Sequence, residues 1–585
     1  MTKILKTEAT TGPPSLTQLA ISAFIVVVAV VAMRWPSGGE SFWLDELHSA
    51  WAVAADFPDI SARAADGNQT TGYFHSLWIW KKTVDLLGLA NLLGFEWAMR
   101  ISSVVLNAIA ALVLLFGVTR SSGRLGGGLA AALLLAFDQH AVFFGGELRS
   151  YAAVMLCSAF ATASMMKMLQ TAKGSHEIAG QDNKVDRALT GPSDDEVTVQ
   201  VGVGRLSMTF WICLAGLLHP TSLGTLGLLF PVGLILTWRM RRLKVWSGDL
   251  GVLTFGLLTS LLLAASSLPH SWQRRDLWRA FGQATRSKQL LDAWDWWSLL
   301  LFPGITLVLC VVICRFVAGR PNAASSQHKS AIMKPASADC FWWIPGLISA
   351  TATAVFFIAS YADIVPLWHR RYFIAALPML AWTGGELTAK LIDRAFAISR
   401  QSSFQRVVPI AILMVVIGFQ LWHQGVLTKL AAGHLPMQLR GERWRSAVEM
   451  IQQESTTSDF VWLDSGLIEA SLLTEAPVSW PAEDERFWDY LKFPVQGPYR
   501  IDEVKLVSSR SPIESLSLLV DQLPDEQARV WLLSRSGRGN VLALIERLGQ
   551  VRKLKYRWRF KARPSVLEID FAAIDGESAA SLDGH

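Results

Sequence analysis

The run LTQLAISAFIVVVAVVAM, Leu16 to Met33, carries no charged side chain. As one helix it is long enough to cross the ~30 Å hydrocarbon core of a bilayer. Similar apolar runs recur as far as residue 425. In lipid the backbone must satisfy its own polar groups, and for runs of this length that means helices. The pattern predicts roughly eleven spans. No small-residue cleavage site follows the first run and further spans do, so it reads as a retained helix and not a signal peptide. The balance of 51% apolar and 17% charged residues does not suit a soluble enzyme of 585 residues.

Polar gaps between the runs set the expected topology. Leu206 to Trp238 is a single apolar stretch of 33 residues, too long for one ordinary span. LLHPTSLG interrupts it at Pro220, and a tight external turn is expected there with His219 at its water-facing end. RMRRLK at Arg239–Lys244 is the strongest internal anchor. The basic bias places the N-terminus in the cytoplasm, and an odd number of spans then places the C-terminal region outside. Residues 34–100, 143–149, the turn at 219, 269–295 and 363–371 fall on the external side. The net charge of +6 follows from this topology and needs no nucleic acid as partner. Cys157, Cys213, Cys310, Cys314 and Cys340 lie in or beside apolar runs without clustered spacing, and read as small core residues.

Residues 1–425 therefore read as a transmembrane module. Within it, 167–205 is a polar internal insertion expected to be disordered, and 320–338 reads the same way. From 426 the texture changes. GERWRSAVEMIQQ, PIESLSLLVDQL and GNVLALIERLG have helical spacing, while DFVWLDS, RVWLLSR, RKLKYRWRF and SVLEIDF read as strands. Strands alternating with helices predict an extracytoplasmic α/β domain over 426–585 with a largely parallel sheet and a loose tail.

Chemistry gathers at the external turns. GESFWLDELHSAWAVAADFP puts Asp45 and Glu46 between Trp43 and Trp51, just past the first span. GGELRSYA gives Glu147, Arg149 and Tyr151. LLHP gives His219, and PLWHRRYFIAALPML gives His369, Arg370, Arg371 and Tyr372. Each has a bland account: acids at a helix N-terminus, an arginine reaching for headgroups, a histidine satisfied in a turn. Together they place acids, cations and imidazoles on one face of one bundle. A site for an anionic lipid substrate needs that set, a base for an acceptor and cations for a phosphate.

The order FWLDELHSAWAVA, FEWAMRISSVVLNAIAALVLLFGVTR, FFGGELRSYAAVMLC, LLHPTSLGTL, HRRYFIAALPMLA and ERWRSAVEMIQQESTTSDFVWLDSG resembles the GT-C integral-membrane glycosyltransferases. The branch it resembles most is family 39, which holds protein O-mannosyltransferases and lipid A aminoarabinose transferases. The resemblance spans roughly residues 16–465, through motifs that are individually short. It implies a transferase taking a monosaccharide from a polyprenyl phosphate on the external face. By the same resemblance Asp45 is the base supported by Glu46, Glu147 is a second acid, and Arg149, Tyr151, Arg371 and Tyr372 contact substrate. In GNQTTGYFHSLWIW, Thr70, Thr71 and Gly72 stand where the family has prolines, and Tyr73 is kept as a donor-side residue.

The expected mechanism is direct displacement with inversion. Asp45 accepts the acceptor's proton; Arg149, Arg370 and Arg371 stabilise the departing phosphate; His219 or His369 adds a hydrogen bond. A divalent ion near Asp45 and Glu147 is a further candidate, without a ligand signature in the spacing. Arg274 and Arg275, in an interfacial segment over 270–297, are additional phosphate candidates. Two alternatives differ in class. A transporter or flippase for a lipid-linked sugar would carry ionisable groups at mid-bilayer, where Asp138 is the deepest candidate. A catalytically inactive scaffold would use its external domain to bind a partner.

Overall fold

Residues 14–67, 69–180, 194–232, 282–317, 341–398, 404–432, 441–467 and 485–573 are described by a computed structural model, with short helical pieces between 235 and 262. The chain divides into two units. One holds Met1–Gly38, Asn68–Tyr73 and Arg100–Met437; the other holds Gly39–Gly67, Phe74–Met99 and Gln438–His585.

The first unit is helical. Among the described residues four helices are long and apolar enough to cross a membrane: Leu16–Gly38, Phe95–Ser122, Tyr151–Gln170 and Ile344–Tyr361. A fifth is counted if the bent pair Leu125–Phe137 and Gln139–Gly145 is one span. The expectation of eleven is therefore not recovered by length and composition. Val203–Leu218, Pro220–Val232, Trp297–Ile313 and Val407–His423 are apolar but shorter helices. The helix Ala376–Ile398 carries Glu386, Lys390, Asp393 and Arg394.

The bend has a local cause. Asp138 interrupts the apolar run, and its Oδ1 accepts hydrogen bonds from the backbone N–H groups of His140 and Ala141 at 2.8 and 3.0 Å. That is an N-cap, so a new helix starts there at 64° to the last one. Arg34, buried on the first helix, donates to the carbonyls of Ala136 and Ala141 at 3.3 and 3.0 Å, occupying carbonyls around the break.

Small residues set the closest helix packing. A Cβ at Gly385 would stand 2.5 Å from Ala131 Cβ and 2.7 Å from the Gly127 carbonyl oxygen. The helices Leu125–Phe137 and Ala376–Ile398 can approach this closely because both carry glycine at the crossing. The helices Tyr151–Gly180 and Asp194–Leu218 extend into 167–205 from either side. Residues 181–193, 320–338 and the arginines at 274 and 275 lie outside the described residues.

The second unit contains a five-stranded sheet of β1 (Phe460–Asp464), β2 (Lys505–Leu506), β3 (Ala528–Ser534), β4 (Leu554–Phe560) and β5 (Ser565–Phe571), in the order β2-β1-β3-β5-β4. β1 pairs in parallel with β2 and β3, while β5 runs antiparallel to β3 and β4. The sheet is thus mixed and not largely parallel. The reason is the short connection between β4 and β5, which permits only a hairpin. Helices Ile513–Val520 and Arg538–Val551 cover it, burying Leu516, Val520, Val541, Leu544 and Leu548 against Val530, Leu532, Leu567 and Ile569. The segment 34–100 contains the helices Leu44–Ala54, Ile60–Asp66, Thr71–Leu86 and Leu89–Leu93.

Candidate functional site

In the first unit, residues from three separate stretches meet. Phe144, near the end of the short helix Gln139–Gly145, has its ring centroid 5.2 Å from Tyr151. Tyr151 lies 5.5 Å from the imidazole of His219, which lies 6.3 Å from Tyr372. Tyr372 is 6.2 Å from His369, and His369 is 6.3 Å from Phe144. The five rings form a closed circuit. Four of them were expected from the sequence. Phe144 was missed because a phenylalanine in FFGGELRSYA looks like ordinary core.

Local structure explains the placement. Tyr151 opens the helix Tyr151–Gly180, directly after GGELRS. His219 ends the helix Asp194–Leu218, and Pro220 forces a 3₁₀ turn, Pro220–Ser222. Its Nδ1 lies 2.7 Å from Thr221 Oγ1. His369 precedes a second 3₁₀ turn, Arg370–Tyr372, and its Nδ1 accepts the Arg371 backbone N–H at 3.3 Å. That contact leaves the proton on Nε2.

Charge surrounds the circuit. Arg149 is buried two residues before Tyr151. Arg371 Nη2 donates to the Tyr372 hydroxyl at 3.1 Å, and its guanidinium stands 5.0 Å above the Tyr372 ring. Burial first, then the positive charges of Arg149 and Arg371, pull His219 down to a pKa of about 3, so its imidazole is neutral at physiological pH. Glu147 is fully buried, and its carbonyl accepts the Ser103 hydroxyl at 2.5 Å.

Arg370 behaves differently from its neighbour. Its Nε and Nη2 donate to the carbonyls of Ala293 and Asp292 at 2.8 and 2.6 Å. Burial lowers its pKa, against the opposing pull of Asp138 and Asp292. It therefore braces the turn against 292–293. Tyr73 is buried, and the segment before it packs on the end of the His219-bearing helix, where Thr70 Oγ1 donates to the Leu218 carbonyl at 3.1 Å.

Asp45 and Glu46 belong to the second unit. Both fall in the first turn of Leu44–Ala54, where acids suit the helix dipole. Glu46 is fully buried and its Oε2 accepts the Trp43 backbone N–H at 3.4 Å, half of a capping box. Asp45 is half-buried. Two carboxylates that sequence reasoning passed over anchor this stretch. Glu442 accepts from Leu44 N–H at 3.1 Å, and Glu96 pairs with Arg445 and accepts the Tyr499 hydroxyl at 3.2 Å. Nothing in GERW or GFEW marks these acids as partners of residues hundreds of positions away. Among the described residues, no three of His, Cys, Asp and Glu converge as a metal ion would require.

No protein-family model matches the chain, and no curated protein matches it. Among solved structures it is similar to ArnT from Cupriavidus metallidurans, bound to undecaprenyl phosphate and in the apo state. In each case the TM-score is 0.42 and the identity 14%, over 94% of this chain and 97% of that one.

Proposed function

We propose that this chain is an integral-membrane glycosyltransferase of the GT-C kind. It moves a monosaccharide from a polyprenyl-phosphate donor to an acceptor hydroxyl on a protein, lipid or glycan. The observation that carries this reading is the closed circuit of Phe144, Tyr151, His219, Tyr372 and His369, with Arg149 and Arg371 close enough to act on His219 electrostatically. Two guanidinium groups in an aromatic, largely buried setting suit a phosphate attached to an apolar chain.

The chemistry then follows. The acceptor oxygen attacks the anomeric carbon and gives its proton to the Asp45 carboxylate. The bond from that carbon to the phosphate oxygen breaks, its electron pair stays on the phosphate, and the anomeric centre inverts. A positioned base contributes about 10²–10⁴-fold. The leaving group is already a phosphate, so no general acid is needed. Its growing charge falls to Arg149 and Arg371, while neutral His219 offers a hydrogen bond without adding repulsion among cations, and His369 offers a second hydrogen bond. Glu147 orients sugar or acceptor, Tyr73 contacts the donor, and Arg370 holds the turn that carries Arg371.

Purified protein in liposomes, given polyprenyl phosphates carrying labelled sugars, tests the reading. Transfer to an acceptor by the wild type and its loss in Asp45→Asn support it. Full transfer by the variant removes Asp45 as base. Movement of the intact labelled lipid across the bilayer with no glycosidic bond formed would instead establish a flippase.

A further inference from the structure

The C-terminal fold is given no role by this chemistry, yet its first helix is tied to the segment that carries Asp45. Residues 41–44 are held almost one by one. Ser41 Oγ accepts the Arg445 backbone N–H at 3.1 Å. The Phe42 N–H donates to the Tyr499 hydroxyl at 2.9 Å, and the Leu44 N–H donates to Glu442 Oε2 at 3.1 Å. Glu442 is buried, and it also accepts from Trp444 Nε1 at 2.8 Å and Arg535 Nε at 2.6 Å. Arg535 follows β3 directly, so the carboxylate links the central strand of the sheet to the first residue of the helix Leu44–Ala54.

The Leu44 N–H is one of the donors that a helix leaves without an intrahelical partner. Glu46 within the helix serves the Trp43 N–H instead. Glu442 thus supplies from a distant segment a cap that the local sequence lacks. A charged acceptor held by several donors is stiffer than water at the same place, because releasing them would leave a buried carboxylate without its partners.

We propose that Glu442 is a positioning residue that fixes the N-terminus of the Asp45 helix, and that the C-terminal fold serves the reaction through it. The catalytic part of this proposal rests on the transferase reading above; the positioning part does not. A misplacement of about 1 Å in a reacting group can lower turnover about 100-fold.

Two variants cut the same bond from opposite sides. Glu442→Gln removes the charge and one acceptor oxygen. Leu44→Pro removes the donor, along with the leucine side chain, at a first helical position that tolerates proline, after a Trp43 already in extended conformation. Hydrogen–deuterium exchange of the intact protein in nanodiscs reads positioning without any assay of activity. Both variants should accelerate exchange at residues 45–47 while β3 and β5 stay protected. In the transfer assay both should lower kcat about 10- to 100-fold with KM for the lipid donor within about twofold, and the double variant should be no worse than the worse single one. Wild-type exchange at 45–47 in both variants overturns the positioning role, whether or not the wild type transfers sugar. Faster exchange with unchanged kcat overturns its link to catalysis. A wild type that transfers nothing, with exchange responding as stated, leaves the transferase reading as the part that failed.

Discussion

The imidazole of His219 lies 5.5 Å from the ring of Tyr151, and this pairing joins the end of one helix to the start of another inside a circuit of five aromatic side chains. The surroundings of His219 also set its protonation state. His219 is buried and faces Arg149 and Arg371, which holds its pKa near 3 against an ordinary 6.5.

That depression has a signed consequence for stability. Between these two pKa values the unfolded chain binds a proton at this position and the folded chain does not. Stability contributed here is therefore full above pH 6.5 and falls as pH drops toward 3. His219→Gln, which stays neutral, should flatten the fall of the thermal midpoint between pH 6.5 and pH 4 in detergent micelles. A midpoint that falls as steeply in the variant as in the wild type would show that the histidine is not buried as a neutral group.

The two arginines should differ from their neighbour Arg370. Arg149→Ala and Arg371→Ala should each reduce kcat/KM for the lipid donor by about 10²–10³-fold, and Lys should restore only part of it. Arg370→Ala should instead act on folding, lowering the thermal midpoint by loosening the contacts to Ala293 and Asp292. Equal kinetic defects in all three would contradict the division of roles.

Glycine at the crossing of Leu125–Phe137 and Ala376–Ile398 gives a packing test. Gly385→Leu should destabilise the protein by about 1–3 kcal/mol or prevent its accumulation, since overpacking forces the helices apart. Gly418→Ala is the control. A Cβ there meets nothing within 4 Å, and the change should be neutral or slightly stabilising in thermal melting.

Much of this was legible in the sequence because apolar periodicity and turn chemistry are local. The strands DFVWLDS, RVWLLSR and SVLEIDF and the helices beside them follow from alternation of a few residues. The gathering of Arg149, Tyr151, His219 and Tyr372 followed from assigning their turns to one side of a bilayer. What escaped was set by distance or direction. The Leu44–Glu442 bond joins residues 398 positions apart. Arg370 and Arg371 are adjacent, yet on a tight 3₁₀ turn successive side chains diverge, so one meets backbone carbonyls and the other a tyrosine. Asp45 and Glu46 diverge for the same reason on an α-helix, and it is Glu46 whose carboxylate turns back to the Trp43 N–H. The bend at Asp138 needed the recognition that an aspartate inside an apolar run can begin a helix as well as interrupt one.

The most direct test of the central claim is sugar transfer from a labelled polyprenyl phosphate in liposomes, comparing wild type with the Arg149→Ala/Arg371→Ala double variant. The account predicts transfer by the wild type, and in the variant a loss of about 10³-fold or more while the protein still folds and inserts. Transfer at the wild-type rate by the double variant, or none by the wild type across a panel of donors, would contradict it.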